Sequence, residues 1–160
     1  QFASSAASDV YKRQTFDCLG LVEALIAAAE RDVPVEVFAD RDQTVRGRTQ
    51  RTIEHFDALV ASPVKVCLYG SGRMHLHSKL IMADDLVLLG STNWTQASTY
   101  NHETSALLEP DSSSRSMMLD RIQLVRSAAT EYTAADSRDG TAHRVSNMGQ
   151  AGPLHRVGLN

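Results

Sequence analysis

The chain has 160 residues, with 16 Lys and Arg against 19 Asp and Glu and a formal net charge of −3. This length suits one globular domain, and 42% hydrophobic with 22% charged residues is an ordinary globular composition. These values exclude a wholly disordered chain, a collagen and a coiled-coil rod. No stretch approaches the roughly 20 apolar residues of a membrane span, and the net charge argues against bulk electrostatic binding of nucleic acid.

The first residues resemble foreign sequence. Residues 8–14 are what results when a transposon-end sequencing adapter is translated in frame, so we predict that residues 1–14 are a disordered library scar outside the fold. The alternative is a genuine polar tail. The scar hypothesis implies an N-terminally truncated domain whose targeting signal, anchor or preceding segment could be missing, and it leaves the localisation open.

The first half of the chain alternates helical and extended patterns. Apolar spacing predicts a helix over residues 17–31 and a strand over 33–39. Residues 40–51 are interpreted as a polar, arginine-rich loop. A second helix follows with Ile53, Phe56 and Val60 on its inner face, and then a strand over 64–68.

The second half predicts a hairpin and a final helix. Residues 75–83 and 86–89 are expected to be antiparallel strands around a turn at 84–85. A short helix over 94–101 and a strand over 105–108 follow. A helix capped by residues 111–114 then has its inner face at Met118, Ile122, Val125 and Ala129. The predicted fold is therefore α/β, a mixed sheet with helices on both faces in a domain of residues 15–133, followed by a disordered tail over 134–160.

The hairpin holds the chemistry-bearing residues. Residues two apart on a strand share a face, so His77 and Lys79 are expected to project together. The returning strand brings Gly90 and Ser91 back beside them, and Ser91 and Asn93 add neutral hydrogen-bond donors. An imidazole, an ammonium and such donors suit a phosphodiester, and no metal or other cofactor is required by this set.

The motif His77-x-Lys79-x4-Asp84, followed by Gly90-Ser91-x-Asn93, resembles the HKD motif of the phospholipase D superfamily. Residues 94–95 and 101–103 are also similar to the segment downstream of the motif in single-motif members, such as bacterial endonucleases and mitochondrial cardiolipin hydrolases. One departure is that five residues separate Asp84 from Gly90, where the usual pattern has six.

The resemblance implies a role for each matching residue. His77 would be the nucleophile that forms a phosphohistidine, while Lys79, Ser91 and Asn93 would bind the phosphate. Asp84 would support the geometry of the motif. Glu103 would accept a hydrogen bond from His77 and orient its ring, and a carboxylate on one ring nitrogen makes the other more basic.

The reaction needs two histidines, one to attack and one to protonate the leaving group. Single-motif members of the family pair as symmetric dimers, which implies a homodimer with two motifs at the two-fold axis. The alternative is a second motif in a missing N-terminal part.

The substrate remains open at this point. The resemblance implies either a phospholipid, as for a phospholipase D or cardiolipin hydrolase, or DNA or RNA, as for an endonuclease. A hypothesis from another class is an inactive binding module or gene fragment. Arg46 and Arg48, in the arginine-rich loop, are candidates for gripping the substrate, with a solvated loop as the alternative. His75 could contact substrate or be a solvated strand residue.

Overall fold

A computed structural model describes residues 16–45, 50–70 and 74–139. Its helices and strands follow one another in this order: α1 (Leu19–Ala29), β1 (Val35–Asp40), α2 (Arg41–Val45), α3 (Gln50–Ala61), β2 (Val64–Tyr69), β3 (Leu80–Ala83), β4 (Leu86–Gly90), a 3-10 helix (Gln96–Tyr100), β5 (Ser105–Leu108), α4 (Ser112–Ala128) and β6 (Ala129–Glu131). None of the helices in these ranges is both long enough and apolar enough to cross a membrane.

The described strands form two three-stranded sheets. In the first, of order β1-β2-β6, β1 runs parallel to β2 and β6 runs antiparallel to it. In the second, of order β3-β4-β5, all neighbours are antiparallel. The prediction of an α/β fold with mixed strand directions is confirmed, but the strands are divided between two sheets rather than joined in one.

The core lies between α1, α3 and the first sheet. Phe56 and Leu59 of α3 and Val66 of β2 are fully buried. The Phe56 ring packs on the rings of Phe16 and Tyr132, with centroids 5.5 and 5.6 Å apart. The predicted inner face of α3 was wrong at one position, because Leu59 rather than Val60 completes it and Val60 is 42% exposed.

Local sequence signals predicted most elements correctly. Helices α1, α3 and α4 and strands β1, β2, β4 and β5 lie where periodicity placed them. Asp111 caps α4 by accepting a hydrogen bond from the Ser114 backbone N–H at 2.7 Å. The predicted inner face of α4 is the half-buried one, but its last residue, Ala129, begins β6 instead of ending the helix.

Two element predictions near the motif need correction. The predicted loop over 40–51 begins with the short helix α2, because the carboxylate of Asp40 accepts a hydrogen bond from the backbone N–H of Gln43 at 2.9 Å. The strand predicted from residue 75 begins only at Leu80, so His77 and Lys79 precede it in a segment without regular structure. Their predicted placement on a strand face was therefore wrong.

The predicted start of the tail also moves. Residues 134–139 are helical rather than disordered. Asp136 accepts hydrogen bonds from the backbone and side chain of Thr133 at 2.9 and 3.0 Å and forms an ion pair with Arg41 at 2.6 Å. Burial raises the pKa of Asp136, but the hydrogen bonds from Thr133 and Arg41 outweigh this effect and bring the pKa below its usual value. The predicted scar over 1–14, the tail beyond residue 139 and the candidates Arg46 and Arg48 lie outside the described residues.

Candidate active site

His77 and Lys79 meet just before β3. The ammonium of Lys79 donates a hydrogen bond to the backbone oxygen of His77 at 2.7 Å, and it lies 2.9 Å from Nδ1 and 3.3 Å from Nε2 of the His77 ring. His77 is exposed and Lys79 is half-buried. An exposed imidazole is therefore in contact with the ammonium of Lys79. The sequence analysis expected these two side chains together, but on the face of a strand.

The β3–β4 hairpin returns the chain to this pair. Leu80 lies opposite Leu89 in the register, and the backbone N–H of Gly90 donates to the backbone oxygen of Lys79 at 3.3 Å. The hairpin turns tightly at Asp84, whose φ of 51° is a conformation that Asp tolerates better than most residues. Although this hairpin has one residue fewer between Asp84 and Gly90 than the usual family pattern, it still places Gly90 beside Lys79.

Asp84 lies at the far end of this hairpin. It is exposed at the turn, with β3 between it and Lys79. A role in the geometry of the motif is consistent with that position, whereas contact with a substrate phosphate beside Lys79 is not.

Ser91 and Glu103 form a second polar group at the end of β4. The hydroxyl of Ser91 donates to Oε2 of Glu103 at 2.5 Å, and Asn101 donates to the other carboxylate oxygen at 3.1 Å. The backbones of Ser91 and Thr104 are joined by a hydrogen bond of 3.0 Å. Glu103 is thus held beside the phosphate-binding candidates, and its predicted hydrogen bond to His77 stays a prediction.

Asn93 and Lys79 line the same cavity, which has a volume of about 70 Å³. The side-chain oxygen of Asn93 is buried and has no hydrogen-bond partner among the described residues. Phe16 and Trp94 close the cavity with apolar surface. A buried amide oxygen without a partner is costly, so this position favours a polar guest or a rearrangement of the amide on binding.

The sequence analysis missed one residue of this region, Asp40. It ends β1, is only 3% exposed and lines the same cavity as Lys79. One of its carboxylate oxygens accepts a hydrogen bond from the backbone N–H of Leu76 at 2.8 Å and lies 3.2 Å from Nδ1 of His75. An acidic residue directly after an apolar strand could have indicated a helix cap, but no local signal pointed to His75 and Leu76, which follow 35 and 36 positions later.

Together these groups can bind and activate a phosphate ester. The ammonium of Lys79 can neutralise nonbridging oxygens, the side-chain amide of Asn93 can donate neutral hydrogen bonds, and the imidazole of His77 is a group that can attack phosphorus. Ser91 can donate as well once its hydroxyl turns away from Glu103. Within residues 16–45, 50–70 and 74–139, no group of three or more His, Cys, Asp or Glu side chains is arranged to hold a metal ion.

Comparison with solved structures supports this architecture. A phospholipase D family member, Nuc from Salmonella typhimurium, superposes with a TM-score of 0.66 at 24% identity, over 75% of this chain and 78% of that one. NucT from Helicobacter pylori gives a TM-score of 0.62 at 22% identity, over 74% of this chain and 77% of that one. At these identities the likeness concerns the fold. A search of curated proteins gave no significant match.

The sequence also matches a family model over residues 6–119, which includes the whole motif region from His77 to Glu103. The model is described as "Cardiolipin synthase, PLD-like domain". Since it covers more than half of the chain and the fold agrees with it, this protein belongs to the family of phospholipase D-like domains.

Proposed function

We propose that this chain is a metal-independent phosphodiesterase that works through a covalent phosphohistidine at His77. The observation that supports the proposal most directly is the contact between the ammonium of Lys79 and the exposed ring of His77, beside the returning segment with Ser91 and Asn93. Membership of the phospholipase D-like family adds independent support.

The reaction would proceed in two balanced steps. A ring nitrogen of His77 attacks phosphorus, the P–O bond to the leaving alcohol breaks, and that oxygen takes a proton from a general acid. Water then gives a proton to the group that protonated the leaving alcohol and attacks the phosphohistidine. The P–N bond breaks, the phosphomonoester is released, and both His77 and the general acid return to their starting states. In both steps Lys79 and Asn93 would stabilise the charge on the nonbridging oxygens. Ser91 would assist by turning its hydroxyl from Glu103 to the phosphate.

Lys79 would change partners during this cycle. In the free protein its ammonium lies on the ring of His77, where it competes for the nitrogen lone pair. The negative charge of a bound phosphodiester attracts the ammonium more strongly than the imidazole ring does, because charge-assisted hydrogen bonds are the stronger ones. Substrate binding would therefore release the nucleophile at the moment it is needed.

A second copy of the chain would supply the general acid. A two-fold axis beside His77 would bring two imidazoles together, since an isologous interface places identical residues opposite each other. Exposed apolar side chains are consistent with a partner surface: Leu107 on β5 is 65% exposed, and Met117 and Leu124 on α4 are 65% and 60% exposed. Light scattering tests this step, and an active monomer would contradict the dimer.

Hydrolysis of a bis-aryl phosphodiester in the presence of EDTA tests the mechanism. We expect turnover by the wild type and none by His77→Ala or His77→Asn. His55→Asn is the control substitution because His55 lies on α3, outside the motif segment of residues 77–93, and its ring contacts the backbone oxygen of Phe16 at 3.3 Å. Mass spectrometry of a preparation quenched during turnover should find one phosphoryl adduct at residue 77. Activity that depends on a divalent ion, or that survives loss of His77, would contradict the proposal.

The same preparation can identify the substrate class. Parallel assays use single-stranded DNA, RNA, phosphatidylcholine vesicles and cardiolipin vesicles. Cleavage of DNA or RNA alone assigns the endonuclease alternative, and cleavage of vesicles alone assigns a phospholipase or cardiolipin hydrolase. If the substrate is a polyanion gripped by the arginine-rich loop, Arg46→Ala and Arg48→Ala should weaken binding and flatten its salt dependence. A folded protein that cleaves none of these substrates would be the inactive binding module.

A further inference from the structure

The carboxylate of Asp40 contacts His75 and Leu76, the two residues that precede His77, and it is almost completely buried. Its side chain is 1% exposed, and a buried carboxylate is costly unless hydrogen bonds satisfy it. Oδ1 accepts from the backbone N–H of Gln43 at 2.9 Å, while Oδ2 accepts from the backbone N–H of Leu76 at 2.8 Å and lies 3.2 Å from Nδ1 of His75. One side chain therefore joins the start of α2 to the two residues that precede His77.

This connection runs from a rigid element to an irregular one. Asp40 is the last residue of β1, where it lies opposite Tyr69 of β2 in the parallel register. Residues 74–79 lie in neither a helix nor a strand, and sheet pairing resumes only at Leu80. The backbone bond from Leu76 therefore fixes the chain one residue before His77, at a place where no sheet pairing does so.

We propose that Asp40 is a positioning residue, which holds residues 75 and 76 so that the ring of His77 faces the substrate phosphorus. This inference rests on the proposed function of His77. Asp40 does not touch the reacting atoms in this arrangement. It acts through the backbone, and a misplacement of about 1 Å in a nucleophile can cost on the order of 100-fold in rate.

The two contacts of Oδ2 have different weights. The Leu76 N–H is a backbone donor that cannot turn away, whereas the His75 side chain is 50% exposed and can be hydrated by water. The backbone contact is thus expected to carry most of the effect, and His75 a smaller part. This difference gives an ordered series of variants.

The test compares Asp40→Ala, Asp40→Asn and His75→Gln in the full chain. Asp40→Ala removes both contacts, Asp40→Asn keeps an oxygen that can accept from Leu76, and His75→Gln leaves the Asp40–Leu76 bond in place. We expect kcat on the bis-aryl diester to fall by about tenfold or more in Asp40→Ala and by less than about threefold in His75→Gln. Asp40→Asn should lie between these two. KM should change by a smaller factor than kcat, because Lys79, Ser91 and Asn93 are themselves unchanged.

A matched control separates positioning from general destabilisation. Asp57→Ala also removes a carboxylate that accepts two side-chain hydrogen bonds, from Tyr132 at 2.8 Å and from Ser137 at 2.9 Å, but it does so away from the motif. It should lower the melting temperature and leave kcat of the folded protein unchanged. Hydrogen exchange of the Leu76 amide gives a readout without activity: exchange should accelerate in Asp40→Ala and remain as in wild type in Asp57→Ala and His75→Gln.

The outcomes are distinct. Any of three results for Asp40→Ala overturns the positioning role. These are a wild-type kcat, a loss of kcat no larger than that in Asp57→Ala, and unchanged hydrogen exchange of the Leu76 amide. If Asp40→Ala does not fold, Asp40→Asn decides, and wild-type kcat together with wild-type Leu76 exchange in that variant overturns it. A wild type without turnover, or full turnover by His77→Asn, refutes the proposed function and the positioning role with it. An active wild type with an indifferent Asp40 refutes the positioning role alone.

Discussion

A methyl group at Gly90 is predicted to damage both the second sheet and the candidate site. Gly90 ends β4 and lies opposite Ser105 of β5. A Cβ built on Gly90 would lie within 3 Å of three atoms: the backbone oxygen of Thr104, the hydroxyl of Ser105 and the Cα of Ser105, the last at 2.7 Å. Two of these three atoms belong to the backbone, so a change of side-chain rotamer cannot relieve the clash.

The size of the effect can be worked from this geometry. The Cα of Ser105 would have to retreat from 2.7 Å to at least 3.4 Å, where ordinary contact begins. Overpacking of this kind costs about 1–3 kcal/mol. The shift would fall on the hydrogen bond of 3.0 Å between Ser91 and Thr104, so Ser91 should also lose its position relative to Glu103. We therefore expect Gly90→Ala to be less stable and, under the proposed function, less active.

Denaturant unfolding and turnover of the bis-aryl diester measure the two effects. Gly20→Ala in α1 is the matched control, because a Cβ there meets no atom of residues 16–45, 50–70 and 74–139 within 4 Å. Alanine should stabilise the helix by up to about 0.5 kcal/mol. Wild-type stability and turnover in Gly90→Ala, or an equal loss in Gly20→Ala, would refute the reasoning.

Three further changes probe the core and the ionisable groups. Phe56→Ala should lower the free energy of unfolding by about 3–5 kcal/mol, against less than about 0.5 kcal/mol for the exposed Val60→Ala; similar losses would contradict the assigned core. Because hydrogen bonds from Thr133 and the ion pair with Arg41 lower the pKa of Asp136 in the folded state, these contacts stabilise the fold above the unfolded pKa of about 3.9. The stability difference from Asp136→Asn should shrink as pH falls through the native pKa, and a constant difference would argue against the ion pair. Burial and a neighbouring carboxylate raise the pKa of Tyr132, so ultraviolet titration over about pH 9–11 should be the same in Tyr132→Phe; a lost transition would show that this phenol ionises normally.

The helices and the hairpin were predictable because their signals are local. Helical spacing of apolar residues placed α1 and α3, and the Asp84–Asp85 pair between two apolar runs placed the turn of the hairpin. The same local reasoning failed for residues 75–79, since an apolar-polar alternation that looks like a strand becomes one only if a neighbouring strand pairs with it. It also failed at Val60, because helical spacing from Phe56 allows either Leu59 or Val60 to face the core, and the structure buries Leu59.

The sequence proposed the members of the candidate site, which stay a prediction, but it did not give their arrangement. His77, Lys79, Ser91 and Asn93 could be proposed together because the hairpin joins them over a short stretch of chain. The hydrogen bond between Ser91 and Glu103 depends on how β5 returns beside β4. That pairing gave Glu103 a partner which spacing alone did not indicate.

By itself the sequence determined which short segments carry the candidate groups for phosphate chemistry. Only the tertiary structure decided what lies beneath them: the parallel pairing of β1 with β2 and the capping of α2 bring the carboxylate of Asp40 to the Leu76 amide, 36 residues along the chain. The physical reason is that a buried charge takes whichever donors the packed core leaves within reach, and no local pattern in the sequence encodes that distance.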